Sequence, residues 1–392
     1  MGKQVILGKF PFIDFFSHYG PLTMMTSAVG LWLTGSLLGE VLICVGGYGL
    51  SLFLIFIILR PCVPISIASL AVAVSLAVLP RFYKWYYWLF PLLALYLFSL
   101  LVIAKTPMGR FQVIAAAGLG SGMAFLYRID LGLACTTFYL ISYGAFVCWG
   151  RVKLLSLREL IVFLMANVTP IALWLIILFG KGGESAVFDY FRSTLFGAVG
   201  AIRYWSVPIP IFNIRAPLSV MSGTAVLYLL LPFVYVSALV TSQAILSNIE
   251  EKDHQRGSLI FGSGLMGIAL LPQSLHRSDT GHLLQVMAPF IVCAPLLGYS
   301  IWRASGKSLI KKVPLGKILV VICLTSLAFS LFAVRHSCGI DFQCYSWPWT
   351  RYSSIVGGIE EVLNNPVALV SRRIKQLTEN GDAVLVLSLI HI

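Results

Sequence analysis

Charge is what this chain has least of. Only 11% of its 392 residues are Asp, Glu, Lys or Arg, where a soluble globular domain carries about 25%. A soluble fold is excluded on that ground, and a polytopic membrane protein remains. Acidic residues are scarcer than basic ones, 15 against 28, and the net charge is +13. In an apolar chain that excess reads as Lys/Arg flanking membrane helices, so no nucleic-acid partner is expected. Cysteine is sparse as well: six of the eight lie in apolar stretches and behave as small hydrophobes. Cys338 and Cys344 stand in a polar tail, where they can pair if that tail is extracytoplasmic. The chain has no nucleotide-phosphate loop, no serine nucleophile elbow, no paired-cysteine metal pattern and no internal repeat. Met1–Gly20 does not read as a cleavable leader, because it carries acidic and aromatic residues and lacks an apolar core.

What the chain does have is ten apolar stretches of helix length: Leu37–Arg60, Cys62–Pro80, Lys84–Ala104, Phe111–Tyr127, Leu131–Trp149, Glu159–Phe179, Leu218–Leu246, Ser258–Pro272, Leu283–Trp302 and Ile318–Val334. A hydrocarbon core of roughly 30 Å needs about 20 apolar residues per helix. Pro21–Gly35 is shorter and is interrupted by Gly30, so it suits a juxtamembrane helix lying in the interface. The expected fold is an all-α polytopic membrane protein with about ten transmembrane helices. Residues 1–36 form an extracytoplasmic loop and juxtamembrane helix, and residues 37–334 the transmembrane domain. Residues 335–386 read as the start of a small extracytoplasmic α/β tail. There Val367, Val370, Ile374 and Leu377 recur at helical spacing ahead of an Asn380-Gly381-Asp382 turn and a strand-like Ala383–Val386. Residues 387–392 match a translated sequencing-adapter end and are expected to be an artefact.

Positive charge sets the orientation. With the Arg303–Lys317 gap in the cytoplasm, alternation puts Arg60, Lys105/Arg110, Arg151/Lys153/Arg158 and Lys252/Arg256 on the same side. The protein is then a multi-pass protein of the cell (inner or plasma) membrane with its working face extracytoplasmic. That face holds Met1–Gly20, the gap at Arg128, the Gly180–Pro217 loop, the gap at Arg277 and the tail. A chain starting outside with no preceding span lacks an insertion signal, so a further helix is expected upstream of Met1.

Function has to be read from those gaps. Asp14 lies among aromatics in Pro11–Leu22, either as a solvated carboxylate in an interfacial anchor or as a general base for a sugar hydroxyl. Arg128 and Asp130 end the small-residue stretch Phe111–Tyr127, where Gly118, Gly120 and Gly122 permit close helix packing. They form either a surface pair or a phosphate-binding guanidinium with its partner. His276, Arg277, Asp279 and His282 crowd seven positions between two membrane stretches. A loop that merely turns needs none of them, so they read as an anion-binding or acceptor-positioning cluster. A metal site is the lesser reading, because the spacing matches no established ligand pattern. The Gly180–Pro217 loop is either a lid over a lipid substrate or interfacial filler. Ionisable residues are scarce within the stretches, which argues against an ion-coupled transporter.

Several of these pieces together resemble the GT-C superfamily of membrane glycosyltransferases, of the polyprenyl-phosphate-sugar-dependent mannosyltransferase type. They are the Asp14 segment leading into Tyr19-Gly20-Pro21-Leu22, the run Gly122–Asp130 that looks like a Gly-rich helix ending in a basic residue, and Arg277-Ser278-Asp279 followed by His282. The α/β tail also fits. The resemblance implies an enzyme that moves a sugar from a polyprenyl-phosphate carrier to an extracytoplasmic glycan, lipid or protein acceptor, among membrane lipids. Asp14 would be the base, unless the family's acidic motif lies upstream of Met1. Arg128, Asp130, Arg277, Asp279, His276, His282 and Tyr19 would bind donor phosphate and substrate. The resemblance names no particular cofactor, and a divalent cation is compatible with it. The alternatives are a polymerase or ligase of lipid-linked glycans and a non-catalytic lipid-linked-sugar translocase or transporter.

Overall fold

The computed structural model describes residues 2–15, 17, 19–79, 82–104, 106–149, 156–196, 209, 211, 215, 220–246, 251–275, 278 and 280–305. All of them fall within Met1–Ser337, the first of two compact units. The elements in chain order are α1 (Gly2–Ile6), α2 (Pro21–Thr34), α3 (Leu37–Leu59), α4 (Ile65–Ala77), α5 (Tyr86–Ile103), α6 (Pro107–Tyr127), α7 (Ile129–Trp149), α8 (Leu157–Phe191), α9 (Val220–Leu246), α10 (Glu251–Leu275), α11 (Thr280–Gln285) and α12 (Ala288–Ser305). Short 3-10 and π turns follow at Phe82–Lys84 and Arg192–Phe196. Among the described residues there is no strand beyond an isolated bridge between Pro11 and Phe15.

Local chemistry explains most boundaries. Ser36 caps α3 by accepting from the Leu38 N–H, and Thr106 caps α6 by accepting from the Gly109 N–H. Ser156 and Glu159 form a reciprocal capping box on α8. Gly35, at φ 66°, ends α2 in the left-handed region.

Among the described residues, five helices are long and apolar enough to cross a membrane, over Leu37–Leu59, Tyr86–Ile103, Leu157–Leu195, Ser222–Gln243 and His254–Leu275. Large side chains such as Leu70, Ile176, Phe233 and Val240 are exposed on the outside. That surface suits lipid, where a soluble protein would bury it. Cys44, Cys62, Cys135 and Cys293 are buried free thiols, and burial pushes the Cys62 thiol up to about 11.

Three expected stretches come out differently. Cys62–Pro80 yields only the 13-residue α4, about 20 Å long and short of a full crossing. Leu283–Trp302 is two helices. Pro289, one position inside α12, has no N–H and its ring would clash with the carbonyl of Gln285, four residues back. The Gly180–Pro217 stretch is not loop throughout, because α8 runs on to Phe191 through a bend at Gly183, whose φ is 67°. Beyond the bend, Ala186 and Tyr190 turn inward and pack with Phe12, Met24, Leu126 and Trp174. Ile318–Val334, the α/β tail and residues 387–392 lie outside the described residues.

Lipid supplies no hydrophobic drive between helices, so association rests on close packing. α6 and α8 lie side by side and run parallel, with Arg110 meeting Glu159 at 2.8 Å near their starts. Further along, Gly118 faces the Phe163 carbonyl and Gly122 faces the Asn167 carbonyl, with no room for a Cβ at either. Gly120, by contrast, faces Leu93 at ordinary contact distance. Across the assembly, Trp88, Tyr86, Tyr87, Phe98, Phe138, Tyr235 and Phe290 form the buried aromatic interior.

Gly122→Leu should therefore force α6 from α8 and cost about 1–3 kcal/mol, seen as a lower unfolding temperature in detergent. Gly144→Ala, inside α7 where a Cβ meets nothing within 4 Å, should not lower that temperature, because alanine is the better helix former.

Candidate functional site

Polar side chains collect at one end of the helices, where α6 stops and α7 starts. Arg128 is the extended residue between them, and Asp130 lies in the first turn of α7. Arg128 Nε donates to Asp130 Oδ1 at 2.9 Å and its Nη2 to Oδ2 at 3.2 Å. Their side chains are 19% and 29% exposed. The Tyr87 hydroxyl, from the first turn of α5, donates to Asp130 Oδ2 at 3.0 Å, and Gln273 Nε2 of α10 donates to that hydroxyl at 2.9 Å. Three helices are thereby tied to one carboxylate.

The N-terminal segment closes the cluster from another side. The Gly20 N–H and the Thr23 hydroxyl both donate to the Tyr127 carbonyl. This brings the Tyr19 ring within 5.5 Å of the Arg128 guanidinium carbon. Lys84, only 4% exposed, donates to the Tyr19 hydroxyl at 3.0 Å. Its ammonium also lies 4.2 Å from the Tyr19 ring centre and 5.2 Å from that of Tyr83. The rings offset part of the cost of burying this cation.

Electrostatics follow from the geometry. Burial opposes ionisation of Asp130, but the Arg128 charge, the hydrogen bonds from Arg128 and Tyr87, and the Lys84 charge outweigh it. The carboxyl is held below its usual range. Arg128, despite its own burial, is held in the charged form chiefly by Asp130. The cluster thus holds two cations and one ionised carboxylate within a few ångströms of each other, with Arg128 5.5 Å from the Tyr19 ring centre and 5.8 Å from that of Tyr87, and Lys84 5.7 Å from the latter.

Of the residues singled out from sequence, Tyr19, Arg128 and Asp130 are brought together. Asp14 is not part of that cluster. It sits exposed in the turn before α2, where its carboxylate accepts from the Phe10 N–H at 2.5 Å. Phe10 stacks on Trp174 of α8 at 5.5 Å and Phe12 meets Tyr190 edge-on at 5.0 Å, so the turn docks at the same end of the helices. His276, Arg277 and Asp279 lie outside the described residues. Their flanks, however, are tied to this end, because Gln273 meets Tyr87 and the Leu284 carbonyl accepts from Trp88 Nε1 at 2.9 Å. His282 is on α11. Among the described residues, no three His, Cys, Asp or Glu side chains cluster as metal ligands do.

Sequence reasoning missed Lys84, Tyr87 and Gln273 as site residues. Lys84 opens the aromatic run Trp85-Tyr86-Tyr87-Trp88, which reads equally well as an interfacial belt. A cation beside that belt is the only local signal.

Comparison with protein-family models, curated proteins and solved structures finds no match. The class therefore rests on the chain itself: an all-α membrane protein with a compact polar cluster at one end of its apolar helices.

A stability test isolates Asp130. Its folded carboxyl ionises at lower pH than an unfolded aspartate, near 3.9. Its contribution is therefore complete above that value and is lost as pH falls through the folded one. Asp130→Asn should lower stability at pH 7 by about 1.5–3 kcal/mol and flatten the decline below about pH 4. Thermal unfolding in detergent from pH 7 to pH 3 measures both, and an unaltered acid decline in the variant would remove Asp130 as its source.

Proposed function

We propose that the protein is an integral membrane glycosyltransferase that takes a sugar from a polyprenyl-phosphate carrier and delivers it to an extracytoplasmic acceptor. The observation carrying this reading is the polar cluster at one helix end, where Lys84 and Arg128 lie beside Asp130 and the donors Tyr87 and Gln273 that lead to it. A guanidinium has five N–H donors in a planar fork. Asp130 engages two of Arg128's nitrogens, and the remaining donors suit a phosphate.

In an inverting transfer the acceptor hydroxyl attacks the anomeric carbon, its bond to the carrier phosphate breaks, and the phosphate leaves with the electron pair. Arg128 stabilises the charge developing on that phosphate, with Lys84 adding to the local field and Arg277 as a further donor. Asp130 positions; its lowered carboxyl makes it a weak base. The proton of the attacking hydroxyl passes to a carboxylate open to solvent at this end, and Asp14 is the candidate. The isoprenoid chain lies against the apolar helices, so only its headgroup needs polar partners. Among the described residues the ionisable groups Lys84, Arg128 and Asp130 gather at one helix end and Arg110 with Glu159 at the other. That distribution favours chemistry at a membrane edge over passage through the spans.

Arg128→Ala and Arg277→Ala should each cut turnover about 100- to 1000-fold in proteoliposomes supplied with a polyprenyl-phosphate sugar, with membrane insertion intact. Unchanged turnover in either variant would remove that residue from the site, and unchanged turnover in both would end the reading.

A further inference from the structure

A cleft of about 240 Å3 lies between α7 and α10, with Asp130, Tyr87 and Gln273 at its polar end and Leu133, Ala134 and Ala269 along its walls. Complete small-molecule sites run from about 300 to 1,000 Å3, so this one accommodates part of an amphiphile. Leu133 is exposed on α7, which opens the cleft on the apolar flank of the helices.

Hydrogen-bond accounting decides what chemistry fits the polar end. An ionised carboxylate offers about four lone-pair positions and no proton. Arg128 Nε, Arg128 Nη2 and the Tyr87 hydroxyl occupy three of those of Asp130. The Tyr87 proton is committed to Asp130, and the same hydroxyl already accepts from Gln273. The carboxylate position left over asks for a donor. A phosphate brings negative charge against that carboxylate, whereas a sugar or glycerol hydroxyl donates without adding charge.

We propose that this cleft binds the hydroxyl-bearing headgroup of a lipid, a sugar or glycerol unit on an alkyl chain. One hydroxyl donates to Asp130, and the chain runs along Leu133, Ala134 and Ala269. The assignment builds on the sugar-transfer reading: the remaining donors of Arg128 take the phosphate, and the open position on Asp130 takes a hydroxyl.

The test uses the full chain in lipid nanodiscs with two photo-crosslinking probes, an alkyl glucoside and the matching alkyl phosphate, each with a diazirine in the chain. The glucoside should label α7 and α10, unlabelled alkyl glucoside should compete, and the phosphate probe should label these helices about tenfold less or weaker still. Ala134→Trp fills the cleft and should abolish the label. Leu133→Trp blocks its exposed mouth without entering the interior and should do the same, so the result is read from whichever variant keeps the parent's unfolding temperature. Equal labelling by both probes, or glucoside labelling that survives the blocking variant, overturns the proposal. Capture is read without turnover, so a chain that binds the glucoside yet transfers no sugar sinks the proposed transfer and leaves the cleft standing.

Discussion

In an assembly with so few charges, an unpaired ion near the apolar interior is the costliest thing the fold can contain. Arg128 and Asp130 meet that constraint two residues apart, where α6 gives way to α7. The break between these helices leaves Arg128 in extended backbone, so its fork can close on the carboxylate in a bidentate pair. Everything else at this end is arranged around the pair. Tyr87 and Gln273 bring α5 and α10 to the carboxylate, while Tyr19 and Lys84 carry the N-terminal segment to the guanidinium side.

Interruptions in the helices matter as much as the helices. Pro289 ends what composition alone reads as one long span, and the short α11 before it carries the Leu284 carbonyl to Trp88. Gly183 lets α8 fold its last turns inward, so that Tyr190 meets the aromatic N-terminal turn held by Asp14. At Gly118 and Gly122 the missing side chains let α6 lie against the backbone of α8. The end of α6 is thereby supported from below and Arg128 is held in place.

Part of the candidate site is legible in the sequence. Arg128 with Asp130 stands out as opposite charges in a chain that has few, and Tyr19 enters only through the resemblance of the segment Tyr19-Gly20-Pro21-Leu22. Asp14 stands out as a lone carboxylate among aromatics, but the backbone hydrogen bond by which it closes a local turn is not evident from its neighbours. Lys84 and Tyr87 were hidden by their setting, because a cation followed by aromatics at a helix start reads as an interfacial anchor. Gln273 was hidden because a single amide near the end of an apolar helix carries no pattern.

Helix content and the apolar surroundings of this protein are local properties, written in runs of residues that bury or expose together, and the amino-acid order determined them unaided. Caps at Ser36, Thr106 and Ser156 are equally local, because each serine or threonine bonds to backbone within three residues of itself. Which helix ends meet was decided only by the tertiary structure. Tyr87 and Gln273 are 186 positions apart in the chain and Trp88 and Leu284 are 196 apart, and no periodicity reaches that far. Close packing at small residues, and the need of each buried polar group for a partner, selected those pairings from the many that an apolar chain allows.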